Sequence, residues 1–320
     1  MPSTVLPLLL PHCVTMKHNG YAALDDMALL CMRGSGAKNY LQTQCTQDVK
    51  RLSPTQAIYG VILTPQGKTL ADLRVVQVDE QTLYVLHDRS ASDALMQRLR
   101  MFALGHDVSF ELLPWSLQAG YGVIATAWLE GHDNTTPLAC VTANDGALLL
   151  VQADGVADVW RIAATEWQAV DGAELLNADE QEQLRIAAGI PRFGHDWGAG
   201  DYPLNANLRE MDGISFDKGC YVGQEISSRM HWRNGVRHAL YHVRLATMPT
   251  SLPCDVCSSV AIGRLSSCTK LDDGSVLGIA RLPANIMAED QQASRQSLHV
   301  EDNIQLEPLA ICQRVVEETA

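Results

Sequence analysis

The chain has 320 residues, with 24 Lys plus Arg against 37 Asp plus Glu and a formal net charge of −13. Its 47% hydrophobic and 19% charged content excludes a disordered polymer and allows a sizeable core; the length suits about two or three domains. The acidic total excludes a general polyanion binder, which needs clustered Lys and Arg, but leaves room for a local basic site.

Val5 to Leu10 is an apolar run broken by Pro7 and closed by Pro11; it lacks a basic flank and is too short for export. Leu24 to Met32 predicts a strand ending at Gly34-Ser35-Gly36. That triplet reads as a tight turn rather than a phosphate loop, because the full dinucleotide fingerprint is missing. A short helix over 38–44 follows. Ala57 to Leu63 and Thr69 to Val78 predict a hairpin around Thr64-Pro65-Gln66-Gly67. A strand over 82–86 comes next, then an amphipathic helix over 91–103 with Leu95, Leu99 and Phe102 on one face, and a strand over 108–112. Together these form an α+β unit.

Leu112 to Leu129 carries no charge over 18 residues, but Pro114, Gln118, Gly120 and Gly122 make it a buried strand rather than a membrane span. Short strands fill 120–162. Two helices are then expected, over 165–176 and 178–188, the second with Asn177 as N-cap and Gly189 as stop. Beyond Tyr241 the pattern is β again, at 241–245, 260–265, 276–282 and 303–306, which suggests a small terminal barrel or sandwich. The nine cysteines, an odd number spread from Cys13 to Cys312, point to a reduced cytoplasmic protein. Cys254-Asp-Val-Cys257 is the single CxxC and lacks the second pair of a structural zinc site, so it reads as a thiol pair in a loop, and no metal is expected.

The run that carries chemistry is Asp217-Lys218-Gly219-Cys220-Tyr221-Val222-Gly223-Gln224-Glu225. Its two glycines allow a sharp turn and close backbone approach, and Gln224-Glu225 would open a helix running through His231. Two readings of Cys220 stand side by side on local chemistry: a thiol activated by the helix N-terminus and by Lys218, or a structural turn with a buried cysteine. From Ile226 to Cys254 there is no acidic residue, while Arg229, Arg233, Arg237 and Arg244 alternate with His231, His238 and His242. This strip is an anion-binding candidate or a solvated edge paired with acids elsewhere.

Lys218-Gly-Cys-Tyr-Val-Gly-Gln-Glu225 resembles the K-G-C-[FY]-x-G-Q-E signature of the folate-binding YgfZ family, which is related to the glycine cleavage aminomethyltransferase (T-protein). The likeness extends to Tyr40-Leu-Gln-Thr-Gln-Cys-Thr-Gln-Asp48, to Leu63-Thr-Pro-Gln-Gly-Lys-Thr-Leu-Ala-Asp72-Leu and to Arg185-Ile-Ala-Ala-Gly-Ile-Pro191. The resemblance implies an α+β, three-domain T-protein-like ring with two α/β (ferredoxin-like) domains and a C-terminal small β-barrel. Residues 1–48 and 116–235 would form a discontinuous first domain carrying the motif, 49–115 an inserted domain, and 236–320 the barrel. It also implies a central channel for tetrahydrofolate or another reduced folate, and a role in maintaining iron–sulfur enzymes, including tRNA-modifying ones, with mitochondrial counterparts in cluster assembly.

By the same resemblance, Met27, Asp72, Arg185 and Asn207 are expected at the folate, and Cys220 is a functional thiol within the motif residues Lys218, Gly219, Tyr221, Gly223, Gln224 and Glu225. A carboxylate would read the pterin N–H groups and an arginine the glutamate tail. Asp72 is the leading carboxylate; Arg185 serves the tail or closes an ion pair on its helix. Arg229, Arg233 and Arg237 are the anion-binding candidates. T-proteins carry Glu in an L-R-[LI]-E-A-G motif where this chain has Ala187, and some relatives place Trp where it has Met27. Losing that carboxylate removes a charge-assisted hydrogen bond of about 1.5–3 kcal/mol. It weighs against aminomethyl transfer and leaves open whether any reaction is catalysed. Expected partners are folate, the iron–sulfur assembly machinery or its client enzymes, and tRNA, with no membrane. Aminomethyl or one-carbon transfer and direct tRNA binding are the alternative functions.

Overall fold

The computed structural model describes residues 20–133, 136–153, 158–167, 169, 172–233, 235–288, 291 and 297–313. The apolar run at 5–10 and Cys13 lie outside them. The expected first strand is two strands, β1 (Gly20–Ala23) and β2 (Met27–Arg33), separated at Leu24 because each enters a different sheet. The Gly34 turn follows β2. Its ligand is internal: Ser35 donates its backbone N–H and Oγ to Asp107 Oδ2 at 3.0 and 2.6 Å. Helix α1 (Ala37–Gln44) buries Ala37, Tyr40, Leu41 and Gln44, the i, i+3, i+4, i+7 stripe of an amphipathic helix.

Strands β3 (Ile58–Leu63) and β4 (Thr69–Gln77) form the expected hairpin, followed by β5 (Thr82–Asp88), α2 (Ser92–Phe102) and β6 (Ser109–Leu113). On α2, Leu95 and Leu99 are buried as expected, but Phe102 is exposed. It is the last residue of the helix, where the chain departs from the sheet, and the Arg98 guanidinium covers its ring at 4.0 Å in place of the core. The uncharged stretch from 112 becomes the end of β6, then β7 (Ser116–Tyr121) and the short α3 (Val123–Trp128). Among the described residues no helix is long and apolar enough to cross a membrane.

Strands β8 (Cys140–Thr142), β9 (Leu148–Ala153) and β10 (Asp158–Ala163) follow. The helix expected over 165–176 is absent among the described residues. Instead the chain lies along the sheet edge: Trp167 donates its backbone N–H to Gln118 Oε1 at 2.9 Å and packs its ring edge-on to Tyr21 and Trp128. β11 (Glu174–Leu175) then pairs parallel to β1. The edge strand's unpaired groups and the aromatic contacts outweigh local helix propensity. Helix α4 (Ala178–Ala187) has the expected Asn177 cap, made reciprocal by Glu180, and stops at Gly189, whose φ of +67° suits glycine.

Helix α5 (Gln224–Trp232) leads into the terminal strands β12 (His238–Leu245), β13 (Cys254–Cys257), β14 (Ala261–Lys270), β15 (Val276–Pro283), β16 (His299–Val300) and β17 (Ile304–Ile311). They close into a barrel in the order β12-β15-β14-β13-β16-β17, so the CxxC expected in a loop is a barrel strand. The other strands make a six-stranded sheet, β11-β1-β7-β10-β9-β8, and a five-stranded sheet, β3-β4-β5-β2-β6. The division expected at residue 48 therefore fails for β2. Its wholly apolar run through Met32 needs cover on both faces and inserts between β5 and β6.

Candidate functional site

Asp72 is on β4, and the register carries one row across three strands: Arg74 faces Leu86, which brings Asp72 level with Asp88, and Asp88 faces Met27. Residues level on neighbouring strands share a face, so Met27, Asp88 and Asp72 line one end of the five-stranded sheet. Asp72 is 4% exposed. Its Oδ2 accepts from Arg74 Nη1 at 3.3 Å, while its Oδ1 is buried with no hydrogen-bond partner. Burial raises the carboxyl above its ordinary value; Arg74 opposes this and the Asp88 carboxylate adds to it.

Arg74, two residues on and on the same strand face, spans to the other sheet. Its Nε donates to Gln152 Oε1 of β9 at 2.8 Å, and its guanidinium lies 4.6 Å from the Trp160 ring and 5.2 Å from the Tyr59 ring. Gln152 Nε2 is a second buried polar atom without a partner. An unsatisfied acceptor on Asp72 and an unsatisfied donor on Gln152 thus bracket one arginine between the two sheets. Buried polar atoms are paired as a rule, and this pair of orphans, flanked by aromatic rings, has the chemistry to receive a flat ligand with both donors and acceptors.

Two residues expected at the folate have no donors to spare. All five Arg185 N–H groups are used: Nε and Nη2 by the Glu182 carboxylate, Nη1 by Asp196 Oδ2 at 2.7 Å and by the Ile190 carbonyl, and Nη2 also by Ser267 Oγ at 3.0 Å. Arg185 takes the ion-pair option and fastens α4 to barrel strand β14. Asn207 is fully buried at φ +59°. Its Nδ2 donates to the Leu240 and Cys312 carbonyls at 2.7 and 2.8 Å, and its Oδ1 accepts from the Leu240 N–H at 2.9 Å, so it too braces the barrel. Ala187 packs beside an apolar group of Ile186, Leu271 and Leu277.

In the motif, Lys218 does not serve Cys220. The lysine is 8% exposed, and its ammonium donates to the carbonyls of Gln42, Cys45 and Gln47 at 2.8, 2.6 and 2.8 Å. It spends all three donors at the C-terminal end of α1, where the helix dipole favours a cation. Cys220 is exposed and lies outside the first turn of α5, beyond the Gly223 N-cap. Lys218 therefore has no N–H left to donate to Cys220, and the cysteine is not the buried one of the alternative reading.

Tyr221 is buried with its ring 5.0 Å from Lys218 Nζ, and Gln224 Oε1 accepts from the Tyr221 N–H at 3.4 Å. Gly223 has φ +82°, and a Cβ there would lie 2.6 Å from the Thr64 carbonyl; a Cβ on Gly67 would lie 2.7 Å from Ile226 Cβ. These two glycines let the motif turn dock on the tip of the β3–β4 hairpin that carries Asp72. Gly219 has open space around it.

The arginine strip disperses. Arg229 Nη2 pairs with Glu225 at 2.6 Å in the open, Arg244 pairs with Glu307 of the adjoining strand β17 at 3.5 Å on the barrel surface, and Arg233 and Arg237 are exposed. The histidines diverge as well: His231 stacks on Phe216 at 3.9 Å, beside the exposed Trp232, whereas His242 is buried on the outer face of β12 against Gly189 at the end of α4. Sequence reasoning missed Arg74 and Gln152. Strand alternation after Asp72 is signal enough for Arg74, whereas Gln152 comes from the other sheet and has none.

Two facing α/β sheets followed by a barrel define the T-protein class. The chain superposes on the glycine cleavage system aminomethyltransferase T of Bartonella henselae with a TM-score of 0.79 at 17% identity, over 93% of this chain and 88% of that one. A GCVT N-terminal domain family matches residues 12–117. Within that class the chain belongs to the family of the tRNA-modifying protein YgfZ. It is 30% identical over 285 residues to the Vibrio vulnificus (strain CMCP6) protein of that name, covering 84% of this chain and 85% of that one. It is also 30% identical over 250 residues to the mitochondrial iron-sulfur cluster assembly factor IBA57 of Homo sapiens, covering 71% and 67%.

Proposed function

We propose that the chain is a cytoplasmic, tetrahydrofolate-binding accessory protein for iron–sulfur cluster assembly or repair, supporting iron–sulfur enzymes that include tRNA-modifying ones. The observation that carries the folate half is the unpartnered Asp72 Oδ1, buried beside Arg74 between the two sheets. A pterin supplies N–H donors for such an oxygen and an acceptor for Gln152 Nε2. Arg74, with only two of its five N–H groups used by Asp72 and Gln152, takes over from Arg185 as the side chain that meets an anion. When bound, the folate supplies one-carbon or reducing chemistry at its ring; the protein orients the ring and excludes water.

The iron–sulfur half is supported by the family and by the exposed Cys220, which stands where a protein partner can reach it. Aminomethyl transfer is disfavoured because Ala187, partly buried beside Ile186, Leu271 and Leu277, stands where T-proteins place a carboxylate. Direct tRNA binding predicts a steep salt dependence, with each phosphate contact adding about one to the slope. The test of function is a deletion strain assayed for thiolated tRNA and for cluster-dependent enzyme activity. Both are expected to fall and to be restored by the wild-type gene but not by Cys220→Ala. Normal levels of both in the deletion strain would contradict the proposal.

A further inference from the structure

Helix α5 turns an aromatic ring to solvent on its charged side. Its inward side is made by Ile226, which packs on the hairpin tip at Gly67, by the fully buried Ser227, and by Met230, which rests on the main core. Its outward side is the i, i+4, i+7, i+8 row of Glu225, Arg229, Trp232 and Arg233, all exposed. Tryptophan is highly buried on average, yet Trp232 is 73% exposed.

The ring is positioned rather than loose. His231 meets it at 4.6 Å with the ring planes 73° apart, and His231 itself is stacked on Phe216 at 3.9 Å and 12°. Phe216 in turn packs against the main core. A series of rings thus ties the exposed indole to the body of the protein. A side chain held in this way loses less freedom when a ligand lands on it.

The surroundings of the ring select its partner. On a helix surface, residues three and four apart are neighbours, so Trp232 lies beside Arg229 and Ser228, with Arg233 next in the chain. Arg229 gives Nη2 to Glu225 and remains exposed. A protein-binding hot spot sits in a water-excluding apolar surround, and a membrane-surface helix carries a row of apolar anchors. Trp232 has guanidinium groups and a hydroxyl instead. An aromatic ring flanked by cations is the arrangement that stacks a base and meets its phosphates.

We propose that the outward face of α5 binds single-stranded RNA, with one unpaired base stacked on Trp232 and phosphates on Arg229 and Arg233. The proposal rests on the direct RNA-binding reading above and is independent of the folate site. A base must leave its duplex to lay a face on this ring, which is why the strand is single. From Ile226 to Cys254 the sequence holds no acid, and the exposed Arg237 continues the cationic character past the helix. The nine residues of α5 span about 14 Å. The exposed Cys220 stands just beyond the opposite end, so the same strand runs toward the motif turn.

The test is fluorescence anisotropy of the full-length protein with a labelled single-stranded RNA of about 12 nucleotides, beside the same sequence as a duplex. Wild type is expected to prefer the single strand about tenfold or more. Trp232→Ala should weaken that binding about tenfold, and Trp232→Phe, which keeps a ring, should recover most of it. Arg233→Gln should lower the slope of log affinity against log salt by about 0.7. These side chains are exposed, so thermal unfolding should be unchanged in all three variants. Absence of single-strand binding by wild type would overturn the proposal together with the direct RNA-binding reading. Binding unchanged in both Trp232→Ala and Arg233→Gln would overturn the proposal alone and place the RNA elsewhere on the chain. Equal binding of strand and duplex would also overturn it, since charge without stacking would then suffice.

Discussion

Asp72 sets function against stability at a single residue. Burial, only partly offset by Arg74, raises its folded-state carboxyl above the value of about 3.9 in an unfolded chain. In the window between the two values the folded protein holds a proton that the unfolded chain has released. The contribution to stability is therefore full below about pH 4 and is lost as pH rises through the raised value. Asp72→Asn mimics the protonated form, so it should raise the melting temperature at neutral pH and flatten this part of the pH–stability curve. The same change removes the charge and replaces one of the two acceptor oxygens by an N–H donor, so it should weaken folate binding. A variant both less stable and unaltered in folate affinity would exclude this role.

Lys218 makes the opposite case, a charged residue whose work is structural. Removing it as Lys218→Met takes the donor from three carbonyls, two of them in buried hydrogen bonds, and should cost about 3 kcal/mol or more in urea unfolding. Adjacency in sequence suggests that Lys218 serves Cys220. The direction of a side chain two residues away depends on tertiary partners, here the end of α1, and no local pattern encodes that.

At the scale of elements, the motif is a turn docked on a hairpin, and its two glycines are unequal. Gly223→Ala forces a Cβ into the Thr64 carbonyl at positive φ, whereas Gly219→Ala meets nothing. The first substitution should destabilise by about 2 kcal/mol or more and the second by under about 0.5 kcal/mol, as read by thermal unfolding. Equal effects would mean the turn does not depend on this contact. Arg185 joins α4 to the barrel, and Arg185→Leu strands the fully buried Asp196 carboxylate, at a cost of about 3–5 kcal/mol in chemical unfolding.

Elements whose signal is local are legible in the amino-acid sequence: the β3–β4 hairpin from Thr64-Pro65-Gln66-Gly67, α4 from its Asn177 cap, and the barrel strands from recurring turn residues. What is not legible depends on partners distant in sequence. The apolar run of β2 fits either sheet, so its pattern alone does not assign it, and residues 165–176 have helix propensity although the β1 edge takes Glu174–Leu175 as a strand. The family resemblance singles out Asp72, and the structure buries it beside Arg74. Arg185 and Asn207 are misplaced by the resemblance because a polar residue beside a motif looks the same whether it faces a ligand or another strand.

Across the whole molecule, the net charge of −13 conceals a local excess of four arginines between Ile226 and Cys254. The fold disperses them over α5, its exit and the barrel rather than focusing them on one pocket. The cation beside the candidate ligand is instead Arg74, inside the molecule and paired with an acid. A buried neutralised pair between two sheets suits a small zwitterionic or anionic ligand, and dispersed surface arginines suit a transient protein or nucleic-acid partner.

The most direct test of the folate site is calorimetric titration of the purified protein with tetrahydrofolate, beside Asp72→Asn and Arg74→Met. Saturable heat is expected with wild type, with affinity about tenfold or more weaker in each variant for one lost charge-assisted hydrogen bond. No heat with wild type, or affinities unchanged in both variants, would contradict the assignment of the buried Asp72–Arg74 pair to folate.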